Sequence, residues 1–177
     1  GLLKQASSLG LNIKKIGSTF AADPTVVPEV GDIILKVVYP YDLMWSVDTP
    51  ENKDMFAKFN QRRREVFRDT DVLTKWPEGS SGHTINGFRF LFAAVEKAGS
   101  LDPEAVIAAW EGMKYKATTG EVYMRACDHQ IVLPMFVAEM IPDKNPLYDF
   151  PWLGKPMVVE AEAAAIPATA DYNPRCK

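Results

Sequence analysis

The sequence predicts an α/β fold: a mostly parallel sheet flanked by helices, followed by a C-terminal antiparallel hairpin and an irregular tail. Three observations predict it. Residues 33–39 form an apolar run, with Ile33, Ile34, Leu35, Val37 and Val38, too short for a usual helix and too continuous for a strand with one wet face. Such a run reads as a strand buried on both faces, as in parallel sheets. Asp23-Pro24, Thr49-Pro50 and Asp102-Pro103 repeat one helix-start chemistry, a capping side chain followed by proline at the first helical position. After Met113 the pattern turns to alternation, the mark of antiparallel strands. The 177 residues, 47% apolar and 24% charged, have an ordinary globular composition. A chain this long buries about 70% of the surface its unfolded form exposes, enough for one sizeable core or two small lobes.

In chain order, Leu2, Leu3, Ala6 and Leu9 recur at helical spacing, and Gly10 stands where the helix stops. Residues 12–17 are a short strand candidate, and Asp23-Pro24 opens a short helix to about Val30. The buried strand over residues 33–39 comes next, broken by Pro40 to Asp42. Thr49 caps a strong helix in which Met55, Phe56, Phe59 and Val66 line one face. Residues 76–82 are a loop by composition. Ile85, Phe88, Phe92 and Val95 then mark a helix that stops at Gly99, and Val106, Trp110 and Met113 give the next helix its buried stripe. Tyr115, the turn Ala117-Thr118-Thr119-Gly120, Val122 and Met124 read as a hairpin. Residues 131–141 continue as one strand. Beyond them six prolines punctuate an extended, surface-wrapping tail, with an alanine-rich patch over residues 157–165.

The net charge of −3 provides no basic field for a phosphate backbone, so nucleic acid is not expected as a partner. The run over residues 131–141 holds Pro134 and Glu139 and falls short of the ~20 apolar residues a membrane-spanning helix needs. The sequence opens at Gly1 without a charged-then-apolar leader, so any export signal is expected to have been removed or to lie outside the given sequence, and location has to be argued from other features. His83 and His129 are the only histidines, and neither has a second His or Cys at i+3 or i+4; no metal site and no cofactor is expected. Cys127 and His129, on one face of a strand, would stand roughly 7 Å apart, loose for a nucleophile pair, and no catalytic role is expected there. Arg62, Arg63 and Arg64 read as a solvated helix face. Gly79, Gly82 and Gly87 lack the phosphate-loop spacing. Residues 82–87 place His83, Thr84 and Asn86 at the start of an apolar helix, where free N–H groups meet either a ligand or simple caps. The two cysteines leave one bridge or two free thiols open.

An ordered series of segments carries a resemblance. It comprises Ser8-Leu9-Gly10-Leu11, Asp48-Thr49-Pro50-Glu51-Asn52, Leu91-Phe92-Ala93-Ala94-Val95-Glu96-Lys97-Ala98-Gly99-Ser100 and Asp102-Pro103-Glu104-Ala105-Val106. Thr119-Gly120-Glu121-Val122-Tyr123-Met124-Arg125-Ala126 and Asp128-His129-Gln130 complete it. Over about residues 2–141 the chain resembles the C-terminal half of a type I periplasmic solute-binding protein, in the branch serving ABC transporters for branched-chain amino acids, amides or aromatic acids. The tail after Pro142 matches poorly.

The resemblance implies two α/β lobes with a ligand enclosed between them. Residues 1–41 would end lobe two, residues 42–130 would form part of lobe one, and residues 131–177 would hold the return strand and the tail. The chain would then be a fragment of a longer two-lobed protein, its open edges covered by a second copy or swapped elements. The implied partners are a small-molecule ligand and ABC permease subunits, the implied location is the periplasm, and the implied role is non-enzymatic. A sensory ligand-binding domain of the same fold is the alternative. The loop that supplies a lobe-two ligand contact in the family reads Gly17-Ser18-Thr19-Phe20-Ala21-Ala22 here, without the carboxylate relatives often carry. Ser18, Thr19 and Phe20 would suit an aromatic or carboxylate-bearing ligand, although Phe20 fits a core position equally well. His83 and Asn86 stand where relatives begin their long helix, and Tyr41 and Trp45, beside the implied hinge, would line the cleft or pack the hinge. The oxidising periplasm implies a disulfide between Cys127 and Cys176 that ties down the tail.

Overall fold

The computed structural model describes residues 1–18, 22–67, 77, 79–142, 148–169 and 171–176, with the backbone alone at residues 79 and 80. Helix α1 (Leu2–Ser8) ends before Gly10, but it is mostly solvated: Leu2 and Leu9 are exposed, and Leu3 alone of its leucines packs on the core. Strand β1 (Lys15–Ile16) is shorter than the expected residues 12–17. Asp23 accepts from the Thr25 amide at 2.7 Å and shapes a turn that feeds α2 (Val27–Val30).

The apolar run splits in two. Gly31–Ile34 is a 3-10 turn whose Ile34 is an anchor buried in the core, Lys36 takes a left-handed φ of 63°, and β2 (Val37–Tyr41) starts only afterwards. Pro40 lies inside this strand instead of breaking it. Gly17 N–H donates to Val38 C=O, so the backbone of residue 40 faces the same side, beyond the end of β1, where proline's missing N–H is tolerated.

Helix α3 (Pro50–Phe67) starts on the expected cap, Asn52 N–H donating to Thr49 Oγ1 at 3.1 Å. Helix α4 (Gly79–Ala98) begins earlier than composition suggested, with residues 79–82 inside it. Packing decides this. A Cβ on Gly82 would stand 2.6 Å from Leu43 Cβ, so glycine lets the first turns approach the chain leaving β2, and that contact outweighs low helix propensity. In α5 (Pro103–Trp110) Asp102 accepts from the Ala105 amide at 3.0 Å. The hairpin of β3 (Lys114–Ala117) and β4 (Gly120–Met124) turns through Thr118-Thr119, and Gly120 supplies a φ of 115° that a side chain resists.

The expected strand over residues 131–141 is two strands in different sheets. β5 (Ile131–Val132) pairs with β4, Leu133-Pro134 breaks the run, and β6 (Met135–Ile141) pairs with β2. In the tail, β7 (Trp152–Leu153) and β8 (Met157–Val159) add to β6, and α6 (Ala161–Ala164) follows. The α/β class and the antiparallel hairpin are as expected. Strand direction is not: among the described residues β1–β2 is the one parallel pair, and the others are antiparallel. A continuous apolar run reports that both faces are buried; it carries no information on the direction of the neighbour.

Two cores result. The first joins Val37, Tyr39, Tyr41, Met44, Met55, Phe136, Met140 and Trp152. Each fully buried aliphatic side chain there contributes about 1.5–3 kcal/mol relative to exposure. The second, around Phe90, Ala117, Val122 and Met124, holds α4, α5 and the hairpin together. Tyr148, Phe150 and Trp152 stack on one another, with ring centroids 4.7 Å apart for Tyr148 with each of the other two, so the tail's first part completes the first core instead of wrapping its surface.

Candidate functional site

A cavity of about 100 Å³ lies between the two cores, lined by Asp42, His83, Asn86, Phe90, Thr119 and Leu133 among others. Its position follows from the crossing of the chain. β2 delivers Tyr41 into the first core and leaves Asp42, 2% exposed, at the cavity wall. The close approach at Gly82 brings the next residue, His83, to Asp42, with Nδ1 3.0 Å from Oδ2. Burial pushes the Asp42 carboxyl up; His83 and the backbone amides of Asp42 and Leu43 act against that shift.

The hairpin tip closes the other side. Asn86 Nδ2 donates to Thr118 Oγ1 at 2.8 Å, and Asn86 Oδ1 accepts from the Thr118 amide at 3.1 Å and its hydroxyl at 3.0 Å. Thr49 Oγ1 donates to Thr118 C=O at 2.6 Å. Two helices therefore clamp Thr118, and the clamp holds Thr119 against the cavity, 4% exposed, its buried Oγ1 without a hydrogen-bond partner among the described residues. Phe90, Val122, Ile131 and Leu133 supply apolar walls. A carboxylate paired with an imidazole above hydrocarbon walls is suited to bind and orient a small amphipathic molecule.

The residues singled out from sequence fare differently. His83 and Asn86 line the cavity, Asn86 with its amide committed to the hairpin. They lie within α4, past its first N–H groups, so the reading of residues 82–87 as a helix start does not hold. Tyr41 is packed in the first core, its hydroxyl donating to Ala22 C=O at 3.3 Å, and Trp45 packs against the same core. Ser18 is exposed and is absent from the cavity wall; Thr19 and Phe20 lie outside the described residues. Asp42 and Thr119 were not picked out as site residues. A lone carboxylate inside the aromatic and aliphatic stretch of residues 39–45 was the available signal for Asp42.

Cys127 is bonded to Cys176, with Cα atoms 5.0 Å apart, and His129 Nε2 pairs with Glu111 Oε1 at 2.8 Å, so no thiol–imidazole pair forms. Cys127, Asp128 and Cys176 cluster, but the sulfurs are joined to each other. The Asp128 carboxylate is taken by Arg125, the Gln130 amide and Asn173.

The sequence profile of the periplasmic binding proteins matches residues 1–145. The chain belongs to this family. No curated protein sequence matches it significantly. Among solved structures, the leucine-, isoleucine-, valine-, threonine- and alanine-binding protein of Brucella ovis, in a closed conformation, is 20% identical with a TM-score of 0.74, covering 94% of this chain and 41% of that one. An ABC transporter substrate-binding protein from Sphaerobacter thermophilus is 18% identical with a TM-score of 0.72, over 90% of this chain and 41% of its own. A solute-binding protein of an ABC transporter from Rhodopseudomonas palustris, in complex with p-hydroxybenzoic acid, is 21% identical with a TM-score of 0.69, over 90% of this chain and 40% of its own. The fold is thus that of these two-lobed binding proteins, and the chain spans about 40% of their length. No helix among the described residues is long and apolar enough to cross a membrane.

Proposed function

We propose that this periplasmic binding protein chain is the C-terminal half of the extracytoplasmic, solute-capturing component of an ABC transporter. One lobe is built on the first core, with β1, β2 and β6 to β8, and the other on the second core, with α4, α5 and β3 to β5. A small amino-acid-like, amide or aromatic acid ligand binds between them and is delivered to the permease. The observation that carries this reading is the cavity lined by the Asp42–His83 pair, Asn86 and Thr119 above the apolar walls of Phe90, Val122, Ile131 and Leu133. A ligand touching both sides favours the closed arrangement by its differential affinity, and closure is what a permease reads. The work is binding and release, with no bond made or broken. Relatives that bind branched-chain amino acids and p-hydroxybenzoic acid support the ligand classes.

A thermal-shift screen of amino acids, amides and aromatic acids tests it. A bound solute at 100 times its dissociation constant stabilises the folded state by about 2.7 kcal/mol. Saturable stabilisation by one of these classes is expected; a flat response across all three contradicts the proposal.

A further inference from the structure

The tail is rooted in one sheet and fastened to the other. β8 lies along β6, with Val159 opposite Met135, the first residue after Leu133-Pro134, where the chain steps from β5 in one sheet to β6 in the other. From there the tail goes back across the same step. Glu162 accepts from the hydroxyl of Tyr123, whose register partner in β5 is Val132, the last residue before that step. Glu160 to Glu162 therefore run beside Leu133-Pro134 as a second connection, with a reach of about 10 Å even when fully extended. Further on, Arg125 Nη1 donates to Ile166 C=O at 2.8 Å, Asn173 Nδ2 donates to Asp128 Oδ2, and Cys176 is bonded to Cys127. Apolar burial does not explain these fastenings. Met157 and Val158 are exposed, α6 buries no residue, and a helix of four residues has no stability of its own.

We propose that the tail from Met157 to Cys176 is a strap that limits how far the two sheets swing about Leu133-Pro134. The proposal rests on the two-lobe reading above, in which that swing opens and closes the ligand cleft. Swinging the sheets apart on the strap's side stretches the span from Glu160 to Glu162, which has little slack, so either the Tyr123–Glu162 bond breaks or β8 peels from β6. The disulfide acts through those weaker bonds. It keeps a detached strap close to the β3–β4–β5 sheet, so each polar contact re-forms as an intramolecular event at high effective concentration. Breaking the bridge removes that advantage, and the remaining hydrogen bonds, in competition with water, hold the strap only part of the time.

Residual dipolar couplings of the full chain, weakly aligned and without ligand, test the strap, because the amides of β2 and β6 and those of β3 and β4 each report an alignment tensor for their own sheet. Sheets held at one angle share a tensor; sheets that swing do not. The bridged chain is expected to give closely matched tensors. Cys176→Ser is expected to pull them apart, one sheet losing alignment magnitude relative to the other, and wild type with its bridge reduced by a dithiol should do the same, which keeps the test open if the variant folds poorly. Val106→Ala, at a buried position of α5 that makes none of the tail's fastenings, controls for general loosening and should leave the tensors matched. The same degree of match with the bridge intact and broken, or a divergence in Val106→Ala as large as in Cys176→Ser, would overturn the proposal. Neither result touches ligand capture, which the thermal-shift screen judges separately.

Discussion

Replacing Cys176 by serine should separate the covalent from the non-covalent attachment of the tail. The described residues between 161 and 176 place no side chain in either core. Their fastenings to the second core's sheet are the Cys127–Cys176 disulfide, Arg125 Nη1 to Ile166 C=O at 2.8 Å, Tyr123 hydroxyl to Glu162 Oε1 at 2.7 Å, and Asn173 to Asp128. The bridge closes a loop of 49 residues. In the chain-entropy account, a loop of that length removes about 4 kcal/mol of unfolded-state freedom at 25 °C. A domain of this size loses about 2–4 °C in Tm per kcal/mol, so Cys176→Ser should melt roughly 8–16 °C below the wild type. The assay is thermal unfolding by circular dichroism with and without a dithiol reductant. Reduced wild type should coincide with the variant, and the variant should ignore the reductant. A variant melting within about 2 °C of oxidised wild type would refute the reasoning, because closing the loop would then bring no net stabilisation through the unfolded ensemble.

Gly82→Ala should destabilise by about 1–3 kcal/mol, since its Cβ meets Leu43 with nowhere to go; denaturant titration measures it, and the same variant should weaken the Asp42–His83 contact. Asn86→Ala removes three hydrogen bonds to Thr118 and leaves a buried amide and hydroxyl unpaired, at a cost of about 1–3 kcal/mol by the same titration; a neutral result would mean that the hairpin is held without the clamp. Hydrogen bonding to Arg125 holds the Asp128 carboxyl down to about 2, so its contribution is complete above the usual carboxylate range and is lost as pH falls through about 2. The stability difference between wild type and Asp128→Asn should therefore be constant above about pH 5 and vanish towards pH 2, and a pH-independent difference would contradict that.

Local chemistry was legible in the sequence and pairing was not. Thr49 and Asp102 announced their helices because a cap and its helix lie within three residues of each other. The hairpin could be read because Thr118-Thr119-Gly120 is a turn in its own right. The apolar run over residues 131–141 concealed a change of sheet, since hydrophobicity records burial and not which strand lies alongside. The aromatic triplet Tyr148, Phe150 and Trp152 was hidden by the surrounding prolines, although its period of two matches a strand face. At the candidate site, His83 and Asn86 were singled out as the polar start of an apolar helix, whereas they lie a turn or more inside α4 and line the cavity. Asp42 and Thr119 depend on contacts spanning 41 and 32 residues, with His83 and through the Asn86–Thr118 clamp, and no local pattern encodes those.

The central claim is that a solute is held where the two cores cross. Resonance mapping of the chain during titration with leucine and, separately, p-hydroxybenzoic acid tests it most directly. Saturable changes centred on His83, Gly87 and Thr119 with at least one of the two are predicted. Changes gathered elsewhere, or none with either, would contradict it.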